Sequence, residues 1–468
     1  MLLSVFISPM QGPSPRLLCL VLALAVSVAA GAQTGAPPDK VPSPSGTPVV
    51  VTLQEAIKRA QTSEPNFANS VANARVAGLD KSIARAGLLP SARFNGQGLY
   101  VQPNGLREVG GEGVVNTNPK FVSADARPRE YIAQGIVEES IGLGGIAALR
   151  RANAADAVAR AELEIARRGL DQAVTGLYYG VSSADHKLTI AQQASDEAAA
   201  FVKLTGQREQ AREAAHADTI KAQLQQQQRD RELSDAKLNA DKARLELGVL
   251  LFSDPRTPYA VSTSDSPAAL ATREEVNQLA SNNNAELKSA LAAVSASGAD
   301  VLTAQAAYLP TIGLNYTYGI DANEFATRGP LTPDGIRTHN LGYSAAVTVS
   351  LPVWDWLATE HKVKQSEIKR NAAKTALTAT QRRTIAQLDE SYAEAQAARA
   401  QLASLDESVA TAAESLRLTK LRYTGGEATV LEVVDAQSAF ITAQNAREDG
   451  RVRYQTAVAQ LQTLTGTM

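Results

Sequence analysis

Near its C-terminus the chain reads YTGGEATVLEVVDAQ over residues 423–437, and here residue types and spacing first suggest chemistry. Glu432 and Asp435 stand three apart in an otherwise apolar stretch, so on a helix their carboxylates share one face. Thr429-Val-Leu-Glu432 is a Ser/Thr-x-x-Glu capping box, which offers Glu432 a purely local task at a helix start. Asp435 falls past the first turn, where neither a cap nor the helix dipole calls for an acid. No other constellation competes with this pair. The four histidines, His186, His216, His339 and His361, are scattered, and none stands with a second ligand at metal spacing. There is no nucleophile elbow and no phosphate loop. The sequence therefore assigns no catalytic, cofactor-binding or metal residues, and an enzyme is the least favoured class.

Gly425 and Gly426 precede the two acids and break two long Ala-, Gln- and Leu-rich stretches that otherwise read as helix. Helical stretches are expected at about 143–210, 217–252, 355–423 and 429–464, with turns at 211–217 and 424–428. At ~1.5 Å per residue, the longest would span roughly 100 Å, beyond any globular core. In the third stretch Leu388, Ala395, Leu402, Val409 and Leu416 recur every seventh residue with Tyr392, Leu405 and Ala412 between them, which is coiled-coil spacing.

The chain also repeats itself. Residues 52–95 slide onto 272–315 without a gap, aligning Thr52 with Thr272, Glu55 with Glu275, Gly78 with Gly298, Asp80 with Asp300, Pro90 with Pro310 and Asn95 with Asn315. One structural unit is used twice. Each copy opens with a capping box, Thr52 to Glu55 and Thr272 to Glu275, and runs through a second helix to Leu89-Pro90 or Leu309-Pro310. The period then changes to two. Ile312, Leu314, Tyr316, Tyr318 and Ile320 alternate with small and polar residues, and Tyr343, Ala345, Val347, Val349 and Leu351 do the same. Strands are expected at about 91–102, 130–141, 311–321 and 342–351, with Arg93, Glu138 and Glu139 blurring the first pair and polar tips at 102–129 and 322–340. The first unit spans 50–252 and the second 272–468, joined by a non-helical segment at 253–271.

Strands of this length, with one apolar face and long loops at one end, fit a membrane β-barrel. Four strands cannot close alone, and an open edge is not tolerated in lipid, so several chains would have to share one barrel. The N-terminus agrees with export: Arg16, an apolar run from Leu17 to Val28 and Ala30-Gly31-Ala32 form a signal peptide over 1–32, cut near Ala32, followed by a Pro/Ser/Gly linker at 33–49. Cys19, the only cysteine, lies inside that run after Leu18, so the mature chain is expected to carry neither cysteine nor N-terminal lipid. No other segment approaches the ~20 apolar residues of a spanning helix. A net charge of −2 over 468 residues gives no electrostatic reason to bind nucleic acid. Trp354 and Trp356, just past the last strand, suit an interfacial belt or packing at the strand-to-helix junction.

Over nearly the whole mature chain the sequence resembles the TolC-like outer-membrane efflux family. The resemblance rests on TLQEAIKRA at 52–60, ARAGLLPSARF at 84–94 with its echo AQAAYLPTIGL at 304–314, VSLPVWD at 349–355, and YTGGEATVLEVVDAQ. It implies a membrane α+β fold: a homotrimer whose 12-stranded β-barrel lies in the outer membrane of a Gram-negative bacterium and continues into a periplasmic α-helical barrel. It further implies a passive exit duct for an efflux pump or a type I secretion system, with a periplasmic adaptor (membrane fusion) protein, an inner-membrane transporter and outer-membrane lipid as partners. The alternative from another class is a soluble periplasmic coiled-coil adaptor or scaffold. In the family the glycine turn lies at the periplasmic tip and the acids beyond it line the closed mouth, which carries the gate role to Glu432 and Asp435. Aligning Ala222-Gln223 with Ala436-Gln437 puts Asp218 opposite Glu432, with an N-cap as its local alternative. Ala211-Arg212 stand for the glycines and Lys221 faces Asp435. The family's latch pairs a tyrosine with an arginine shortly after the glycine; Tyr423 is present, but Ala428 fills the arginine's place.

Overall fold

The computed structural model describes residues 49–100, 106–108, 114–116, 129–262, 269–322, 324–331 and 334–467. The expected signal peptide and all but the last residue of the linker lie outside the described residues, as does most of the 102–129 tip.

Each repeat lays down the same elements. In the first, β1 (Val49–Val51) leads into α1 (Leu53–Ser63) and α2 (Pro65–Ala86), then β2 (Ser91–Tyr100). Short strands β3 (Leu106–Glu108) and β4 (Val114–Asn116) precede β5 (Arg129–Ile141), and two long helices follow, α3 (Leu143–Gln210) and α4 (His216–Leu251). After β6 (Tyr259–Val261) the second repeat gives α5 (Arg273–Asn283), α6 (Ala285–Ala306), β7 (Thr311–Ala322), β8 (Arg328–Leu331), β9 (Arg337–His339), β10 (Leu341–Ser350), α7 (Ala358–Thr424) and α8 (Val430–Thr465). The 322–340 tip, expected as polar loop, thus holds the β8–β9 pair.

Local chemistry sets the boundaries. Thr272 and Glu275 form the reciprocal box, amide to carboxylate at 3.0 Å and amide to hydroxyl at 3.4 Å. The first copy keeps only half of it: Thr52 accepts from the Glu55 amide, but the Glu55 carboxylate turns to Arg59 at 2.8 Å. An i, i+4 arginine outcompetes one exposed amide there. The second helix of each repeat stops at Ala86 or Ala306, ahead of the prolines. A tight turn, Leu89 N–H to Ala86 O at 3.0 Å and Leu309 N–H to Ala306 O at 3.1 Å, takes the chain to the pre-proline residue, which the ring keeps out of the helical region.

Strands β10, β7, β5 and β2 form one antiparallel sheet in that order. The register places Ile320, Tyr318, Tyr316, Leu314 and Ile312 opposite Leu341, Tyr343, Ala345, Val347 and Val349, so a single apolar face runs across the second hairpin. Through β5 it continues into Val137, Gly135 and Phe94 of the first. Tyr343, Val347 and Phe94 are widely exposed on it. The residues that blurred the first hairpin sort by face: Arg93 and Glu138 pair at 2.7 Å on the opposite, polar face, where Asn315 donates to Glu138 at 3.0 Å. Glu139 alone falls on the apolar face, across from Leu314. The outer edges of β2 and β10 have no strand partner among the described residues.

The helices pack in coiled-coil fashion, with α3 and α7 running the full length at about 100 Å each. Leu388, Ala395 and Leu416 of the heptad series are buried, and Ser391 and Ala398 fill the interleaved positions, while Tyr392 sits at the edge beneath Arg273. Gly450 of α8 meets the Leu405 side chain so closely that an added Cβ would stand 2.6 Å from it. At mid-length the connecting segment is tied in by a feature with no sequence signal: β1 and β6 pair in parallel, and the Tyr178 hydroxyl lies 3.0 Å from the Val51 carbonyl and 2.5 Å from that of Ser262. Val51, Ala56, Val174, Tyr178, Leu247 and Tyr259 form the core there.

Candidate functional site

The two helix turns farthest from the sheet are built alike. At the end of α7, Gly425 keeps a right-handed conformation and Gly426 turns left-handed at φ +82°. The amides of Gly425, Gly426 and Glu427 then donate to Leu421, Tyr423 and Arg422 at 3.1, 3.1 and 2.9 Å. At the end of α3, Ala211, Arg212 and Glu213 donate to Gln207, Glu209 and Arg208 at 3.0, 2.9 and 2.8 Å. These are the same three bonds at matching positions of the two repeats, satisfying the last carbonyls of each helix. The first copy places Arg212 at φ +63°, a region a side chain disfavours and glycine does not.

The return helices differ in the residue before their first turn. Thr429 caps α8: its hydroxyl accepts from the Glu432 amide at 3.3 Å, and the Glu432 carboxylate accepts from the Thr429 amide at 3.2 Å. Arg422 adds an ion pair to Glu432 at 3.3 Å. The Thr429 amide, its hydroxyl and the Arg422 charge together hold the Glu432 carboxyl below its usual range. At the equivalent place in α4 stands Ala215, which has no side chain to cap with. Asp218 is therefore not an N-cap residue. It occupies the position of Glu432 in a box that has lost its other half, half-buried, its carboxylate with no hydrogen bond or ion pair among the described residues. Asp435 is exposed and equally unpartnered.

Tyr423 is not at a surface. Its ring is buried with Phe201, Ala222, Val430 and Val433, lies 5.2 Å from that of Phe201, and carries a hydroxyl without a partner. Ala428 packs against this cluster. The arginine over the tyrosine comes from the other repeat: the Arg208 guanidinium sits 4.9 Å from the ring centroid and donates to the carbonyls of Tyr423 at 2.7 Å and Thr424 at 3.4 Å. Those carbonyls end α7, where the helix dipole favours a cation. Arg208 thus clasps the two turns together within one chain. Sequence reasoning missed it, although the alignment that sets Asp218 against Glu432 also sets Arg208 against Arg422.

Among the described residues no group of three or more His, Cys, Asp or Glu side chains could hold a metal, and no helix is long and apolar enough to cross a membrane. The site is a pair of turns with carboxylates, some engaged and some free. Free carboxylates at such turns can act on ions through field and contact.

Residues 276–467 match the family described as outer membrane efflux protein. Protein CyaE of Bordetella pertussis is 25% identical over 420 residues, covering 88% of this chain and 82% of that protein. The fold is shared with the CmeC outer membrane channel of Campylobacter jejuni at a TM-score of 0.72 and 15% identity, over 88% of this chain and 85% of that one. The outer membrane protein VceC of Vibrio cholerae also gives 0.72, at 17% identity over 88% and 96%. The second repeat thus matches the outer membrane efflux protein family, and the fold running through both repeats is the one seen in these outer membrane channels.

Proposed function

We propose that the chain is one subunit of an outer-membrane exit duct serving an efflux pump or a type I secretion system, with three copies closing one 12-stranded barrel. The observation that carries this reading is the sheet: an apolar face exposed on β2, β7 and β10, with two edges left open. In lipid the edges must be paired, and β2 of one copy runs antiparallel to β10 of the next, as a closed barrel requires. The polar face with Arg93, Glu138 and Asn315 then lines the lumen. A soluble periplasmic scaffold would leave that apolar face in water. Trp354 and Trp356, 68% and 83% exposed and packed edge-to-face on each other at 5.8 Å, serve as an interfacial anchor on the periplasmic side.

The paired turns form the gate at the periplasmic tip. Asp218 and Asp435, carboxylates without partners, supply the charge that threefold symmetry gathers at the mouth, and Glu432 braces the start of α8. Repulsion among such acids favours opening, and cations relieve it. The Arg208 clasp ties the α7–α8 hairpin to the α3–α4 hairpin and must yield if the two separate. The duct works with a periplasmic adaptor and an inner-membrane transporter, and co-purification of the tagged chain with its transporter identifies the exported class. Extraction of heat-resistant trimers from outer membranes supports the assembly; recovery of monomer from the soluble periplasmic fraction refutes it.

A further inference from the structure

Just beneath the sheet, α3, α6 and α7 frame a cleft of about 700 Å³ lined by Arg150 and Arg370. None of its lining residues is acidic. Arginines nearby have found carboxylates: Arg151 meets Asp300 at 2.8 Å and Arg160 meets Asp156 at 2.8 Å. The guanidinium groups of Arg150 and Arg370 have neither an ion pair nor a hydrogen bond among the described residues, and the Nε of Arg370 is buried with no acceptor. A guanidinium N–H taken out of water and left unpaired is costly, and two in one cleft repel as well. Both costs vanish when an anion enters. Asn153, Ser295 and Gln305 add neutral polar groups to the wall, and Leu302 with several small residues supplies an apolar flank. The volume falls within the range of small-molecule sites.

We propose that this cleft binds an organic oxyanion, a carboxylate- or phosphate-bearing molecule held at its charged end by Arg150 and Arg370 with its apolar body along Leu302. The guanidinium fork matches the oxygen spacing of either group. Arg150 lies nine residues past the end of β5 and Gln305 six before the start of β7, so the site is about 10–15 Å beyond the strands, within reach of both a lipid headgroup and a soluble solute.

The test uses the full mature chain in detergent, with 1-naphthyl phosphate as probe and its fluorescence anisotropy as readout. Saturable binding is expected, weakened about tenfold or more in Arg370→Gln and severalfold in Arg150→Gln, with Arg370→Lys between, because it keeps the charge and loses the fork. Lys369→Gln, at the exposed neighbouring position, should bind as the parent does. Displacement by inorganic phosphate assigns the site to soluble oxyanions. Displacement by dihexanoyl phosphatidylglycerol at concentrations where inorganic phosphate is inert assigns it to a headgroup. Circular dichroism confirms folding, and should Arg370→Gln fail to fold, the exposed Arg150→Gln carries the test. Absence of saturable binding, or unchanged binding in both glutamine variants, overturns the proposal.

Discussion

Replacing Arg208 by methionine keeps the apolar stem of the side chain and removes its charge and its donors. Four contacts go: a charged hydrogen bond to Tyr423 O at 2.7 Å, a longer one to Thr424 O at 3.4 Å, the cation–π contact at 4.9 Å, and a 3.6 Å ion pair with the exposed Glu213, which contributes little. The first contributes about 1.5–3 kcal/mol as a hydrogen bond to a charged group, and the ring contact about 1 kcal/mol at a partly buried site. The side chain is 21% exposed, and contacts sharing one group do not add, so about 2–3 kcal/mol is expected in total. If the clasp exists only in the closed state, ~2 kcal/mol raises the open-to-closed ratio about 30-fold. Single-channel recording in planar bilayers should show R208M opening spontaneously far more often than the parent, with R208K intermediate because it lacks the fork. A double-mutant cycle with Tyr423→Leu should show coupling. An unchanged open probability alongside a lowered Tm would make the clasp structural only and refute its part in gating.

Gly426→Ala should cost about 1 kcal/mol at φ +82°, while Arg212→Gly at φ +63° should stabilise by a similar amount, so urea midpoints of the two variants should move in opposite directions. Asp218→Asn and Asp435→Asn should reduce cation selectivity and divalent block more than Glu432→Gln, whose carboxylate is already engaged; unchanged reversal potentials in both Asp variants would count against a charged mouth. Val347→Arg, on the apolar face opposite Leu314, should lower barrel stability by about 2–4 kcal/mol at mid-membrane, whereas Ser344→Arg on the polar face should be tolerated, as read by heat-modifiable gel mobility. Glu164 is lowered from 4.5 to about 2, chiefly by its hydrogen bonds to Arg167, against which burial works, and then by Arg168. Its folded value is depressed, so its stabilisation is present above about 4.5 and is lost as pH falls toward 2. Glu164→Gln should therefore lower Tm at neutral pH and leave it unchanged near pH 2.

The second repeat was the more legible in sequence, because Ile312 to Ile320 and Tyr343 to Leu351 alternate cleanly and a period of two has one structural meaning. The first hairpin reads poorly because Arg93 and Glu138 interrupt it. Both follow the alternation, but on the polar face, and only pairing across strands reveals that. The β1–β6 pair left no trace, since strands as short as Val49–Val51 and Tyr259–Val261 have no period and lie far apart along the chain. At the turns, the alignment of the two repeats sets Ala211 and Arg212 against Gly425 and Gly426, and the structure forms the same three helix-ending backbone hydrogen bonds in both copies. Side-chain outcomes were less legible. Thr429 and Glu432 show their box in sequence, whereas Arg208 owes its place to packing of one repeat on the other, a relation between distant residues.

The central claim is that one barrel closes through the edges of β2 and β10 on different copies. Within a chain these strands are separated by β5 and β7, about 14 Å at the usual strand spacing, too far for a disulfide. Cys19 is the only natural cysteine and is expected to leave with the signal peptide, so introduced thiols report cleanly. Asn95→Cys combined in turn with Ser344→Cys, Ala346→Cys and Thr348→Cys, oxidised in outer-membrane vesicles, scans the edge-to-edge register. The expected result is a ladder of linked dimer and trimer, ending at trimer, for one of these pairings and not the others. Monomer at every pairing, from protein that an alkaline wash releases from the membrane, would contradict it.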